Sequence, residues 1–76
     1  MKADASLDAR GLSCPLPILR TKEKLKTMAK GQVLEILATD PEARTQLPDF
    51  IALAGHELLS QTKDEEGIDH YLVALK

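Results

Sequence analysis

Several residue types are scarce in this sequence of 76 residues, and each scarcity excludes a class of protein. A single cysteine excludes an internal disulfide and a zinc site built from several cysteines, and we expect neither a metal nor another cofactor. Phe50 and Tyr71 are the only aromatic residues, so a surface on which nucleic-acid bases stack is excluded. No apolar run approaches the roughly 20 residues of a membrane-spanning helix, so no membrane association is expected.

The net charge and the N-terminal residues bear on the possible ligands and on the cellular location. The formal net charge is −2, which argues against a general nucleic-acid binder. Residues 1–6 contain no apolar signal segment and include an early acid, so export is not expected. We therefore expect a cytoplasmic protein whose thiol stays reduced.

The size of the chain predicts a single domain over residues 1–76. A domain this small buries only about 60% of the surface of its unfolded chain, which leaves room for one core. The sequence is 43% hydrophobic and 29% charged, a balance typical of a folded domain rather than a disordered segment.

Four segments have the patterns of β-strands. Residues 3–8 alternate apolar and polar side chains, and residues 33–38 form a nearly continuous apolar run of strand length. Residues 56–63 and 68–75 flank a turn that ends in Gly67, which predicts a hairpin.

Two helical regions lie between these strands. The first begins after a turn at residues 10–13 and is expected to run to about Lys30, ending at Gly31. Its inward stripe consists of Ile18, Thr21, Leu25, Met28 and Ala29, and Leu19 is expected to be buried against the second helix. The second region is expected to begin at Asp40 as its cap, to break at Pro48, and to resume from Pro48 to Ala54.

The order of these elements predicts the fold class. The sequence of elements is β-α-β-α-β-β, and right-handed crossovers between parallel strands place both helices on one face of the sheet. We therefore expect a two-layer α/β sandwich with a mixed four-stranded sheet. Its other face is expected to be largely solvated, because Glu57 and Gln61 alternate with Leu58.

Cys14 is the strongest candidate for a chemical role. It lies where the first helix begins, and the unpaired amides and dipole of that end favour a thiolate. Pro15 and Pro17 suit the first helical positions and stiffen the turn, and they leave chiefly the amides of Leu16 and Ile18 to face an anion.

Several kinds of cysteine chemistry lack the partners they require. A cysteine hydrolase needs a nearby base, but His56 and His70 both belong to the predicted hairpin. A dithiol oxidoreductase needs a second cysteine. Sulfur transfer through a persulfide needs one sulfur that attacks and is attacked in turn, although a lone cysteine can also be a small buried hydrophobe.

Residues 10–17, with the sequence R-G-L-S-C-P-L-P, resemble the R-G-L-x-C-P-x-P signature of the TusA/SirA-like sulfur-carrier family. Residues 40–41, 47–50 and 56–58 look like later landmarks of that family, in the same order. The resemblance implies the same fold and a sulfur carrier whose Cys14 holds sulfane sulfur as a persulfide. It also implies a donor such as a cysteine desulfurase or a rhodanese-like protein, and an acceptor such as a DsrE-like relay protein.

The resemblance assigns roles to further residues. Gly11, Pro15, Pro17 and Asp40 match motif positions that position Cys14, and the family places the acid of this set near the cysteine loop. Lys22 matches a basic residue implicated in partner docking in the tRNA-thiolation carrier. Leu16 replaces an acid of that carrier and Ile51 replaces its second cysteine. The family serves tRNA thiolation, molybdenum-cofactor sulfur supply and sulfur oxidation, and no direct contact with nucleic acid is expected.

Positive charge is concentrated between residues 10 and 31. This segment contains six basic residues and one acidic residue, Glu23, which gives it a net charge of +5, while the rest of the chain carries −7. We expect Arg20, Lys22 and Lys26, with an exposed Leu16, to dock an acidic partner, although a basic helix face can also be merely solvated. Two alternatives remain open: a non-catalytic interaction or regulatory module that uses this helix, and a thiol redox sensor.

Overall fold

A mixed four-stranded sheet forms one layer of the protein. In the computed structural model, which describes residues 3–76, the strands are β1 (Ala5–Ala9), β2 (Val33–Ala38), β3 (Glu57–Lys63) and β4 (Asp69–Ala74). Their spatial order is β1-β2-β4-β3. Strands β1 and β2 are parallel, and β4 is antiparallel to both β2 and β3. The predicted sheet is confirmed, with strand ends that differ from the expectation by at most two residues.

Two helices, α1 (Leu16–Leu25) and α2 (Ala43–Leu53), form the second layer. Every second residue of β2 and of β4 is buried, as expected for strands that turn one face toward the helices. This confirms the two-layer sandwich. Neither helix within residues 3–76 combines the length and apolar character that crossing a bilayer requires. The core consists of Leu34, Ile36, Ala38, Ala43, Leu47, Ile51, Tyr71, Val73 and Leu75.

Helix α1 has the predicted inward stripe as far as Leu25 but not the predicted length, and the prediction that Ala29 faces inward was wrong, because Ala29 is exposed beyond the end of the helix. Thr21 is fully buried, and Ile18, Leu25 and Met28 pack against the core. The prediction that Leu19 is buried was wrong, since 48% of it is exposed. Leu19 directly follows Ile18, and consecutive side chains on a helix point about 100° apart, which directs Leu19 to solvent.

The prediction that α1 extends to Lys30 was also wrong. After Leu25 the chain tightens into turns, in which the N–H groups of Thr27 and Met28 donate to the carbonyls three residues earlier. The hydroxyl of Thr27 donates to the Lys24 carbonyl as well, at 2.7 Å. Such local bonds compete with helical ones, and the helix ends five residues early. Gly31, with φ of 90°, instead leads into β2.

Helix α2 is continuous through Pro48, which corrects the predicted break. Proline supplies no N–H, so the Arg44 carbonyl one turn earlier loses its helical partner. The side-chain amide of Gln61 replaces it, because its Nε2 donates to that carbonyl at 3.1 Å. A strand residue thus completes the hydrogen bonding of the helix across the two layers.

The position of Gln61 also corrects the predicted alternation along β3. The pairing of β3 with β4 shifts between Leu58 and Ser60, so that Leu58 faces Val73 and Gln61 faces Tyr71. A shift of one residue moves the following side chains to the opposite face. Gln61 therefore faces the helices rather than the open side of the sheet, where the sequence pattern placed it.

Candidate functional site

The candidate site lies at the edge of the sheet where β1 and β2 both end. Because the two strands are parallel and Ala9 is paired with Ala38, the segments that follow them leave the sheet side by side. One of these segments is residues 10–15, which we call the cysteine turn. The other is the connection of residues 39–42 into α2. Parallel strands commonly place functional residues at this edge.

Gly11 shapes the cysteine turn through its backbone. The Leu12 N–H donates to the Ala9 carbonyl at 3.3 Å, which closes a tight turn. Gly11 has φ of 78° in this turn, a conformation that L side chains rarely adopt. Its N–H donates to Oγ1 of Thr39 at 2.9 Å and ties the turn to the neighbouring connection. The sequence had singled out Gly11 but not Thr39.

Asp40 holds the cysteine itself. Its Oδ2 accepts a hydrogen bond of 2.9 Å from the backbone N–H of Cys14. The prediction that Asp40 caps the second helix was wrong, because Glu42 occupies the N-cap and no side chain caps this end. The carboxylate is turned toward the cysteine turn, which agrees with the location that the family resemblance implies.

The two prolines lie on either side of the start of α1. Pro15 is exposed at the N-cap, and Pro17 is buried within the first turn. The Leu16 N–H donates to the Ser13 carbonyl at 2.9 Å, so the prediction that it faces an anion was wrong. The turn uses this donor internally to hold its own shape.

The sulfur of Cys14 contacts a residue that the sequence did not single out. Cys14 is a free, half-buried cysteine, and its Sγ donates to Oε1 of Gln46 at 2.6 Å. Gln46 lies on α2, one residue before the buried Leu47. No local signal in the sequence marks it, because its role depends on how α2 is placed beside the cysteine turn.

An ion pair links the cysteine turn to β1, because Arg10 lies in the turn and Asp8 in the strand. The guanidinium of Arg10 donates to both carboxylate oxygens of Asp8, at 2.8 and 2.9 Å. These side-chain hydrogen bonds lower the pKa of Asp8 to about 2. The charge of Arg10 is therefore engaged by Asp8.

The predicted docking residues lie along α1 and, in the case of Lys26, at its C-cap. Leu16 is 40% exposed, and Arg20 is exposed and pairs with Glu23 at 3.7 Å. Lys22 is six residues beyond Leu16, about 9 Å along the helix axis. A groove of about 290 Å³ between α1 and α2, which we call the basic groove, is lined by Lys22, Leu25, Lys26, Phe50, Ala54 and His56. The structure thus unites Gly11, Cys14 and Asp40 at one edge and places the two lysines in a separate groove.

Comparison with known proteins identifies relatives along almost the whole chain. The family described as sulfurtransferase TusA matches residues 5–74. The sulfur carrier protein TusA of Allochromatium vinosum is 47% identical over 70 residues, which cover 92% of this chain and 91% of that protein. The protein of the same name from Pseudomonas entomophila is 42% identical over 73 residues, with coverage of 96% and 90%.

A solved structure has the same fold. The crystal structure of a SirA-like protein from Desulfitobacterium hafniense superimposes with a TM-score of 0.82, covering 95% of this chain and 99% of that one. At a sequence identity of 24%, this superposition shows a shared fold and no more. The family match over residues 5–74 and the relatives at 47% and 42% identity show the family as well. The chain belongs to the TusA family of persulfide-carrying sulfurtransferases.

Proposed function

We propose that Cys14 is the residue that carries the sulfur. In the loading step, the Cys14 thiolate attacks the outer sulfur of a persulfide on a donor protein. The sulfur–sulfur bond of the donor breaks, its electron pair leaves with the donor thiolate, and Cys14 becomes a persulfide. Unloading repeats the exchange, with an acceptor thiolate attacking the outer sulfur on Cys14. Neither step needs an external oxidant or reductant.

The observation that carries this proposal is the placement of Cys14. Cys14 is half-buried at an edge of the sheet and is not part of the hydrophobic core, and the backbone around it is held by Thr39 and Asp40. A sulfur that exchanges with other proteins must be reachable and held in a defined position. Gly11, Pro15 and Pro17 support that position through the turn and the first helical residues.

The basic groove and the exposed Leu16 are the proposed docking surface. Lys22 and Lys26 flank an apolar floor that includes Leu25 and Phe50, while Arg20 lies on the exposed side of α1. Such a surface suits an acidic partner with an apolar anchor, and the charges mainly increase the rate of encounter. A cysteine desulfurase or a rhodanese-like protein is the proposed donor, and a DsrE-like relay protein is the proposed acceptor.

The proposed setting is the cytoplasm, because a sulfur carrier needs a reduced thiol to accept each new sulfur. tRNA thiolation, molybdenum-cofactor synthesis and sulfur oxidation are the candidate destinations of the sulfur. Membership of a sulfurtransferase family argues against the alternative of a non-catalytic module.

Intact-mass measurement tests the role of Cys14. The protein is incubated with a cysteine desulfurase and cysteine, and separately with a rhodanese and thiosulfate. We expect a gain of one sulfur atom from at least one donor, reversed by a thiol reductant and absent in Cys14→Ser. Ser13→Ala, a change in the neighbouring exposed side chain, should load like the wild type. Loading of Cys14→Ser, or no loading of the wild type by either donor, would contradict the proposal.

A further inference from the structure

The side-chain amide of Gln46 contacts the atom on which the proposed chemistry takes place. Its Oε1 accepts from Sγ of Cys14, although the two residues are 32 positions apart in the chain. Ala43 and Leu47, on either side of Gln46 along α2, are both buried in the core. This packing fixes the face of α2 that Gln46 occupies, so the amide is held against the sulfur by a helix rather than by a loop.

A carboxamide can follow the change of charge that sulfur transfer requires. The Cys14 thiol is a hydrogen-bond donor, whereas a thiolate and a persulfide anion only accept. Gln46 offers a carbonyl oxygen for the first state and an NH₂ group for the second. A half-turn of its terminal torsion exchanges the two, and that torsion is broad and two-fold. The exchange therefore needs no movement of the backbone.

We propose that Gln46 is a catalytic residue of this sulfur carrier: it accepts from the resting Cys14 thiol and donates to the anionic sulfur of the thiolate and the persulfide. This inference rests on the proposed role of Cys14 and adds a second residue to it. Asp40 is the charged side chain that contacts Cys14, and it binds the backbone N–H. At the end of β1, Arg10 and Asp8 face each other. Gln46 is thus the side chain that acts at the sulfur atom.

Alkylation of Cys14 by iodoacetamide at pH 7 tests the inference, because the single cysteine makes the signal unambiguous. Gln46→Glu keeps the size of the side chain but replaces its donor with a negative oxygen, and we expect alkylation to slow about tenfold. Gln46→Met removes the donor without adding charge, and a loss of about threefold is expected. Thr45→Glu adds the same charge one residue earlier at an exposed position and should change the rate by less than about twofold.

Two results would overturn the inference. Faster alkylation of Gln46→Met than of the wild type would mean that Gln46 only stabilises the resting thiol. Equal rates for Gln46→Glu and the wild type would mean that Gln46 only packs. Urea unfolding of each variant checks that a slow rate does not reflect a disordered site.

Sulfur loading from the desulfurase and cysteine separates this inference from the proposed function. We expect Gln46→Glu to retain less persulfide than the wild type under the same conditions. If wild-type Cys14 takes up no sulfur, the proposed function fails, while the alkylation rates still report on Gln46. If the wild type loads normally and the Gln46 variants match it in both assays, the inference about Gln46 alone fails.

Discussion

The carboxylate of Asp40 accepts a hydrogen bond of 2.9 Å from the backbone N–H of Cys14, which lies 26 residues earlier in the chain. This bond links the segment that follows β1 to the segment that follows β2. It involves a charged acceptor, which makes it stronger than a neutral hydrogen bond. The Asp40 carboxylate binds Cys14 and does not cap α2, whose first turn has no side-chain cap. The contact with Cys14 thus replaces the local capping bond that the sequence predicts.

Removing this acceptor should loosen the cysteine turn. In Asp40→Ala we expect the Cys14 amide to exchange with solvent deuterium at least about tenfold faster, since a hydrogen bond to a charged group contributes about 1.5–3 kcal/mol. NMR-detected amide exchange measures this directly. Asp40→Asn keeps an oxygen acceptor and should show a smaller increase. Unchanged exchange in Asp40→Ala would show that the carboxylate does not hold the turn.

The contact between Gln61 and the Arg44 carbonyl predicts a coupling with Pro48. Gln61→Met should lower the free energy of unfolding by about 1 kcal/mol, because the carbonyl loses its replacement donor. In a Pro48→Ala background the loss should be smaller, since residue 48 then supplies a helical N–H. Urea unfolding of the four proteins gives the coupling energy. Thr62→Met, at the next exposed position of β3, should show no coupling, and additive effects of Gln61→Met and Pro48→Ala would contradict this account.

His70 lies between two carboxylates at the end of the hairpin. Its Nε2 is 2.8 Å from Oδ2 of Asp64, and its Nδ1 is 3.6 Å from Oε2 of Glu35. The hydrogen bond with Asp64 raises the pKa of His70 above its usual 6.5, and the same bond lowers the pKa of Asp64 below 3.8. The folded protein therefore favours the charged pair.

The stability that this pair contributes should depend on pH. The His70 contribution is fully present below about pH 6.5 and is lost as the pH rises through the higher folded value. The Asp64 contribution is present above about pH 3.8 and is lost as the pH falls through its lower folded value. His70→Gln should therefore lower the urea midpoint more at pH 5.5 than at pH 9, and Asp64→Asn should show the same trend. An equal loss at both pH values in both variants would contradict this assignment.

The basic groove predicts a salt-dependent loading rate. Lys22→Glu should slow sulfur loading by the desulfurase about three- to tenfold at low ionic strength, because the charge steers an acidic partner toward α1. The difference should shrink at high salt, where exposed charges are screened. Lys63→Glu makes the same charge change at the far end of β3 and should have little effect. Equal slowing by both variants would indicate a general charge effect instead of a docking surface.

Local sequence patterns were enough to predict the elements whose formation depends on neighbouring residues. The apolar run of β2, the hairpin and the inward residues Ile18, Thr21 and Leu25 of α1 each follow from periodicity within a few residues, and all three features are present. The same kind of reasoning failed at Pro48 and at Leu25. The donor that preserves α2 comes from Gln61, and the end of α1 depends on how Thr27 bonds after the helix.

The sequence by itself determined that one thiol lies in a proline-flanked turn between a strand and a helix, because cysteine, glycine and proline act through their own backbone and side chain. Only the tertiary structure decided what surrounds that thiol. Thr39, Asp40 and Gln46 reach the cysteine turn because two parallel strands end at the same edge and α2 packs beside them. Contacts across 26 to 32 positions depend on strand register and helix placement, which no local pattern encodes.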